Sequence, residues 1–176
     1  MKRFWRCLLG IDKNGFKKYK IRKNRHRSVW RARTTKKTNF KLQVIFDETA
    51  KYKSKDPINQ YDINKLWGIS DCGEHHMRCS IRFGWRWLNG NLELHWFKHE
   101  GSEFIFEKIK NIEIDKPVNL EIDIIDGFYV VTVDRVSKYT PRPCSGNYIK
   151  YKLYPYFGGN ETAPHNINIK IKEMDC

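Results

Sequence analysis

Two neighbouring stretches of the sequence carry side chains that are suited to binding an anion. SIRFGWRWL contains Arg82 and Arg86, and LELHWFKH contains His95, Phe97 and His99 at alternate positions. A guanidinium group matches a carboxylate or a phosphate with two parallel hydrogen bonds, and a neighbouring aromatic ring adds an apolar platform. These five residues predict a cationic patch for a carboxylated or phosphorylated ligand. The alternative is a solvated strand face that binds nothing.

A β-hairpin positions these residues. Asn89-Gly90 lies between two alternating runs and predicts a two-residue turn, which fixes the pairing of the flanking strands. On the core side the pairing joins large apolar residues: Trp87 with Leu92, Trp85 with Leu94 and Phe83 with Trp96. On the other side it joins Arg86 with Glu93, Gly84 with His95, Arg82 with Phe97 and Ser80 with His99. A slip of one residue would bury the arginines, so the register is well specified. Arg86 and Glu93 can also form a simple cross-strand ion pair.

A second candidate site lies in the segment YPYFGGNETAPH. Tyr154 and Tyr156 precede the pair Gly158-Gly159, which permits a tight connection into the next strand. Exposed tyrosines offer a flat ring and a polar tip, which suits stacking on a sugar ring. Both tyrosines are therefore candidate ligand-binding residues, and a well-packed corner between two strands is the alternative.

The cysteines predict neither a metal site nor a disulfide framework. Five scattered cysteines are typical of reduced thiols in a cytoplasm. Cys72, His75, His76 and Cys79 loosely resemble a zinc knuckle, but adjacent histidines on an extended loop point apart. We predict a surface loop here, with no metal, no cofactor and no catalytic residue.

The remaining sequence predicts an all-β fold. FKLQVIF alternates as a strand, VNLEIDIIDGFYVVTVD forms a second hairpin around Asp126-Gly127, and NINIKIK closes the chain as a strand. Regularly spaced strands predict one antiparallel β-sandwich, or jelly roll. We find no apolar run that would span a bilayer and no export signal at the start, so we expect a protein that is neither membrane-bound nor secreted by a classical signal.

The positive charge is concentrated near the N-terminus. Residues 1–37 contain fifteen Lys or Arg residues and one acidic residue, which accounts for the net charge of +14. Such a segment repels itself and gains little from burial, so we predict a basic arm over residues 1–37 and a sandwich domain over residues 38–176. An acidic protein surface and nucleic acid are both suitable partners. The predicted docking residues are Lys17, Lys18, Lys20, Arg22, Lys23, Arg25, Arg27, Arg31 and Arg33.

Three segments carry a resemblance to known proteins. DINKLWGISDCGEHH, SIRFGWRWLNGNLELH and YKLYPYFGGNETAPHNI resemble parts of small, largely uncharacterised jelly-roll proteins of bacteria and phages. More distantly, the architecture is similar to the concanavalin-like sandwiches that include alginate lyases. For such lyases the resemblance implies an arginine-glutamate motif on one concave strand, with a glutamine-histidine pair and a tyrosine elsewhere. Arg82 and Arg86 have the spacing of that motif, but Gly84 stands where the motif has glutamate.

These features give three hypotheses about function. The preferred one is a non-enzymatic structural or binding subunit, most concretely an auxiliary or decoration protein of a phage particle. It would dock through its basic arm on an acidic assembly, in a virion or the cytoplasm, because a neutral body with a charged tether suits an accessory subunit. The second is a glycan-binding or lyase-like sandwich that uses the arginine-histidine face on an acidic polysaccharide. The third is nucleic-acid binding through the arm, with an affinity that falls steeply with salt.

Overall fold

The computed structural model describes residues 10–29 and 33–174 as strands, turns and two short 3-10 helices. The strands are β1 (Lys17–Ile21), β2 (Thr34–Thr35), β3 (Asn39–Phe46), β4 (Asn64–Ser70), β5 (Cys79–Leu88), β6 (Asn91–Glu100), β7 (Glu103–Ile112), β8 (Val118–Ile125), β9 (Phe128–Val133), β10 (Val136–Pro141), β11 (Lys150–Leu153) and β12 (Ile167–Met174). The 3-10 helices, Glu48–Ala50 and Pro57–Tyr61, lie between β3 and β4. None of the helices in these described ranges has the length and apolarity to cross a membrane.

The strands form two six-stranded sheets that pack face to face. The first sheet has the order β1-β12-β3-β8-β9-β10, and the second has the order β2-β11-β4-β5-β6-β7. All the strand pairs that build the two sheets are antiparallel. The predicted all-β antiparallel sandwich is therefore confirmed.

Both predicted hairpins have the expected register. In β5–β6, Trp85 pairs with Leu94 and Arg82 pairs with Phe97, as the Asn89-Gly90 turn requires. In β8–β9, Ile122 pairs with Val131 across the Asp126-Gly127 turn. Because side chains alternate between the two faces of a strand, this register decides which alternate side chains of each strand point into the core.

The core lies between the sheets and is rich in aromatic residues. Trp85 of the second sheet packs against Phe46 of the first, with ring centroids 5.2 Å apart, and Trp67 packs against Phe40 at 5.5 Å. The alternating residues predicted to face inward are buried: Phe40, Leu42, Val44, Phe46, Ile167, Ile169 and Ile171. Burial of apolar surface between the sheets supplies the main driving force for folding.

Part of the predicted basic arm belongs to the first sheet. β1 pairs with β12 from Lys17 to Ile21, and Tyr19 and Ile21 are buried in the core. The argument that this segment gains little from burial is wrong for residues 17–21, because Tyr19 and Ile21 alternate with the exposed Lys18 and Lys20 and fill the inner face of the strand. The division of the chain at residue 37 otherwise stays a prediction.

The predicted reduced state of the cysteines is wrong for two of them. Cys72 and Cys144 form a disulfide that joins the β4–β5 loop to the β10–β11 loop. The two residues are 72 positions apart in the sequence, so only the folded chain brings them together. Cys79 is a buried free thiol, and Cys7 and Cys176 lie outside the described residues.

Replacing Ile21 by alanine tests whether β1 is an integral strand. We expect the free energy of unfolding to fall by about 2 to 5 kcal/mol, because a fully buried side chain leaves a cavity. Lys20→Ala on the exposed side of the same strand is the matched control and should change it by less than about 0.5 kcal/mol. Denaturant unfolding of the full chain measures both values. Equal stability of the two variants would show that residues 17–21 are not docked on the sandwich.

Candidate functional site

The outer face of the second sheet carries most of the predicted ligand-binding residues. Five residues of β5 and β6 point away from the core, because the residues that alternate with them along each strand face inward. They are Arg82, Arg86, His95, Phe97 and His99. β7 adds three residues to this face, because Phe106 pairs with Phe97, Phe104 with His99 and Lys108 with His95. We call this surface the cationic face.

Arg82 lies at the centre of the cationic face and is unusually buried for an arginine. Only 7% of its surface is exposed. Its Nη2 donates a hydrogen bond to the Tyr154 carbonyl oxygen at 3.3 Å, and its Nε has no partner among the described residues. Gly68 makes this position possible, because a β-carbon there would lie 2.7 Å from Cγ of Arg82.

No carboxylate of the described residues forms an ion pair with Arg82, whose charge is therefore poorly compensated. Burial lowers the pKa of Arg82 to about 9, and Tyr156 and Tyr151 act in the opposite direction. Both phenol groups are therefore close enough to the guanidinium to affect its pKa. A buried charge without a counter-ion is costly, so this site favours an incoming anion.

Two histidines beside Arg82 are neutral at pH 7. Burial, followed by the charges of His75 and Arg82, lowers the pKa of His76 to about 4. Burial together with Lys65 and Arg82 also lowers the pKa of His99. The His76 backbone N–H donates to the hydroxyl of Tyr151 at 2.7 Å, and its Nδ1 lies 2.9 Å from the same oxygen. This pairing fixes the position of the β4–β5 loop over one end of the cationic face.

Lys65 is a member of this group that the sequence analysis missed. Its Nζ lies 3.9 Å from the ring centroid of Phe97 and donates to the Ile63 carbonyl oxygen at 2.7 Å. Burial lowers the pKa of Lys65 to about 7, and the charge of Arg82 contributes in the same direction. The amine of Lys65 therefore loses its proton far more easily than that of an ordinary lysine. The register of β4 shifts between Lys65 and Trp67, so simple alternation along the sequence does not assign Lys65 to a face.

Arg86 and His95 belong to a separate half of the face, where Glu93 is their common partner. Arg86 Nε donates to Glu93 Oε2 at 2.6 Å, and Lys108 Nζ donates to Glu93 Oε1 at 2.7 Å. His95 Nε2 lies 3.2 Å from Glu93 Oε2. The cross-strand ion pair that was the alternative for Arg86 is therefore present. The charge of Arg86 is already paired with Glu93, whereas the charge of Arg82 is available to a ligand.

Glu93 is held in its ionised form. Burial would raise its pKa, but hydrogen bonds from Lys108 and Arg86 outweigh this and lower the pKa to about 2. A general acid must carry a proton near the working pH. Glu93 therefore does not supply the acid that hydrolysis of a glycosidic bond by a carboxyl pair requires.

Three phenylalanines form a stacked group next to these charges. Phe97 lies 5.3 Å from Phe104 and 6.0 Å from Phe106, with the rings nearly parallel. Phe97 is buried, whereas Phe104 is 58% exposed and Phe106 is 40% exposed. The sequence analysis did not include these two residues, although the short turn between Glu100 and Glu103 places Phe104 opposite His99 and Phe106 opposite Phe97.

The two candidate tyrosines have different environments. Tyr154 is buried in the core and stacks on Tyr19 at 5.7 Å, so its ring is not the exposed surface that the sequence analysis expected. Tyr156 is half-buried beside Arg82, exchanges backbone hydrogen bonds with Lys65, and stacks on His26 at 5.1 Å. β11 ends at Leu153 and Pro155 stands between the two tyrosines, so the alternation of a regular strand does not assign them to a common face.

The basic segment continues from β1 alongside this site. The backbone of Arg27 forms a bridge with Tyr156, and His26 Nδ1 lies 2.9 Å from the Phe157 carbonyl oxygen. Arg22, Lys23, Arg25, Arg27 and Arg33 of the predicted docking residues are exposed, as are Lys18 and Lys20 of β1, while Lys17 is half-buried. Arg31 lies outside the described residues.

Gly84, which replaces the glutamate of the lyase motif, has no room for a side chain. A β-carbon at this position would lie 2.4 Å from Cγ2 of Ile63. Ile63 therefore occupies the space that a motif glutamate would need. Arg82 and Arg86 share their spacing with the motif, but the group between them is absent for a packing reason.

The cysteine-histidine loop does not form a zinc knuckle here. Cys72 is bonded to Cys144, so its sulfur is not available as a thiolate ligand in this state. Asp71, Cys72 and Cys144 place their ligand atoms within 4.8 Å of one another, but the two sulfurs are joined. The ring of His76 is directed to Tyr151.

Comparison with known proteins places the fold. No family model and no curated protein matches the sequence. Among solved structures, the alginate lyase AlyC3 has a TM-score of 0.64 at 11% identity and covers 93% of this chain and 76% of that chain. A glycoside hydrolase family 16 endo-glucanase from Bacteroides ovatus has a TM-score of 0.57 at 9% identity, covering 93% of this chain and 87% of that chain. The catalytic domain of a laminarinase from Thermotoga petrophila has a TM-score of 0.57 at 11% identity, covering 92% of this chain and 76% of that chain. The chain is thus a concanavalin-like jelly-roll β-sandwich.

Proposed function

We propose that the cationic face binds an acidic polysaccharide, with a sugar carboxylate held by Arg82. The single observation that carries this proposal is the buried Arg82 guanidinium, whose Nε has no hydrogen-bond partner within the described ranges. A carboxylate would supply both the missing charge and the missing acceptor. Charge-assisted hydrogen bonds of this kind are about twice as strong as neutral ones.

The exposed phenylalanines support a sugar ligand rather than a small inorganic anion. Phe104 and Phe106 present flat apolar surface on β7, one strand beyond Phe97, which pairs with Arg82. Exposed aromatic groups beside polar residues are typical of ligand-binding surfaces. In a polymer whose units carry both a sugar ring and a carboxylate, the ring would pack on the phenylalanines and the carboxylate would bind Arg82.

The position of the basic segment also supports an acidic polymer. Arg27 is exposed and its charge acts on His76, so the segment extends the positive field of the site. Such a field attracts a polyanion over longer distances and raises its rate of association. The ligand must still reach Arg82, so we expect it to displace one of the half-buried side chains of Lys65, Tyr151 or Tyr156.

The structural neighbours guide the choice of the first ligand. The alginate lyase AlyC3 has also been solved in complex with dimannuronate, at a TM-score of 0.63 and 10% identity. A uronate polymer is therefore the first probe for the cationic face. Docking of the basic segment on an acidic protein assembly, and binding of nucleic acid, stay predictions that the same experiment separates.

Replacing Arg82 by glutamine should weaken binding of a polyuronate by about 10- to 100-fold, because one charged hydrogen-bonding group is lost. Isothermal titration calorimetry with short uronate oligomers on the full chain measures the affinity. Arg135→Gln, in the exposed β9–β10 turn, is the matched control and should bind like the unchanged protein. A neutral glucan should not bind either variant.

The opposite pattern would contradict the proposal. If Arg82→Gln binds polyuronate normally while a triple variant of Arg22, Lys23 and Arg25 loses it, the polymer sits on the basic segment alone. If only DNA is bound by the full chain, the nucleic-acid hypothesis replaces this one. Circular dichroism of each variant confirms that it is folded.

Cleavage of the polymer by β-elimination is a second candidate function. The observation that favours it is the position of Lys65 on the strand beside Arg82, with its Nζ over the Phe97 ring and its pKa lowered to about 7 by burial. In this reaction Arg82 would neutralise the sugar carboxylate. The neutral amine of Lys65 would remove the hydrogen, as a proton, from the ring carbon to which the carboxylate is attached. The electron pair of the broken C–H bond forms a carbon–carbon double bond, the C–O bond to the glycosidic oxygen on the neighbouring carbon breaks, and that oxygen takes up a proton from water.

Elimination predicts an ultraviolet absorbance from the new conjugated double bond when the protein is mixed with a polyuronate. The rate should rise as the pH increases through about 7 and then level off, because the neutral form of Lys65 is the active one. Lys65→Met should abolish the absorbance change while retaining binding. Binding without any absorbance change across this pH range would leave the protein a glycan-binding module and rule out this reaction.

A further inference from the structure

Three cysteine sulfurs meet beneath the β4–β5 loop, away from the ligand-binding residues. Cys72 is bonded to Cys144, and the Sγ of Cys79 lies 3.0 Å from the Sγ of Cys72. Cys79 is a free thiol and only 3% of its surface is exposed. A thiol in direct contact with one sulfur of a disulfide is placed for exchange with it.

We propose that these residues form an intramolecular thiol–disulfide exchange site, in which Cys79 and Cys144 compete for Cys72. The thiolate of Cys79 attacks Sγ of Cys72, a Cys72–Cys79 bond forms, and the Cys72–Cys144 bond breaks. The electron pair of the broken bond leaves on Cys144, which takes up the proton that Cys79 has lost, through solvent. One disulfide and one thiol are present before and after, so no external oxidant or reductant is needed.

The surroundings hold the competing groups in place. Arg142, two residues before Cys144, forms a two-point ion pair with the buried Asp71, with distances of 2.7 and 3.0 Å. Tyr129 donates to Asp71 at 2.8 Å, and its hydroxyl lies 3.8 Å from Sγ of Cys79. The Arg142–Asp71 pair anchors the β10–β11 loop independently of the disulfide, so Cys144 stays nearby after it is released.

Exchange should be slow at neutral pH and faster in base. Burial raises the pKa of the Cys79 thiol, the charges of Asp71 and Glu100 act in the same direction, and Tyr129 and Arg142 oppose them. Since the thiolate is the attacking species, its small population limits the rate. The released Cys144 thiol would be accessible, because this half-buried residue lines an open depression of about 440 Å³ with Pro143, Ser145 and Gly146.

The product state rearranges the constraint on the β4–β5 loop. At present the disulfide ties this loop to a distant part of the chain, whereas a Cys72–Cys79 bond would close the loop on itself around His76. His76 contacts Tyr151 at the edge of the cationic face. The exchange itself does not depend on the proposed function, and only an effect on ligand binding would rest on it.

The test is alkylation of the folded full chain under non-denaturing conditions at neutral and alkaline pH. Samples are quenched in acid, digested with pepsin without reduction, and mapped by mass spectrometry. We expect label to accumulate on Cys144 together with a Cys72–Cys79 linked peptide, several-fold faster at the higher pH. The rate should not depend on protein concentration, which excludes exchange between molecules.

Two variants make the result specific. Cys79→Ser should show no labelling of Cys144, and a chain with Cys7→Ser and Cys176→Ser should behave like the unchanged protein. Label found on Cys79 alone, with Cys72–Cys144 intact at both pH values, would overturn the proposal. Label on all three cysteines before any exchange would overturn it as well, because no disulfide would then be present to attack.

Discussion

The register of the β5–β6 hairpin is the constraint on which the rest of the molecule depends. It sends Phe83, Trp85 and Trp96 into the space between the sheets, where Trp85 meets Phe46 of the opposite sheet. The same alternation places Arg82, Phe97 and His99 on the outer side. A slip of one residue would exchange the two sets, burying charge in the core and exposing the indoles. The register of this hairpin therefore determines both the apolar burial that stabilises the fold and the chemistry of the cationic face.

The cationic face has two electrostatic halves, and only one of them is incomplete. Glu93 forms ion pairs with both Arg86 and Lys108, so each of these cations already has a carboxylate partner. Around Arg82 the neighbours are instead Lys65, two neutral histidines and two tyrosines. Burying an arginine among these groups without a carboxylate partner lowers the stability of the fold, and binding of an anionic ligand would offset this loss. This contrast connects the packing of the second sheet to the proposed function.

Local pattern was enough to predict the hairpins, the jelly roll and the outward direction of Arg82, because turn chemistry and alternation act over a few residues. It was not enough for Lys65, since a register shift in β4 breaks the alternation at that point. The disulfide joins residues that only the tertiary fold brings together. In β1 the high charge obscured Tyr19 and Ile21, whose alternating positions are those of a half-buried strand. Tyr154 and Tyr156 have the two-residue spacing of a common strand face, but both lie beyond the end of β11, where regular alternation no longer holds.

The most direct test of the central claim is isotope-edited NMR of the arginine Nε–H groups during titration with a short uronate oligomer. If Arg82 receives a sugar carboxylate, its Nε–H resonance should shift in a saturable way, while the ion-paired resonance of Arg86 changes little. An unchanged Arg82 resonance, with shifts confined to the arginines of the basic segment, would contradict the account. In that case the cationic face would not be the binding site.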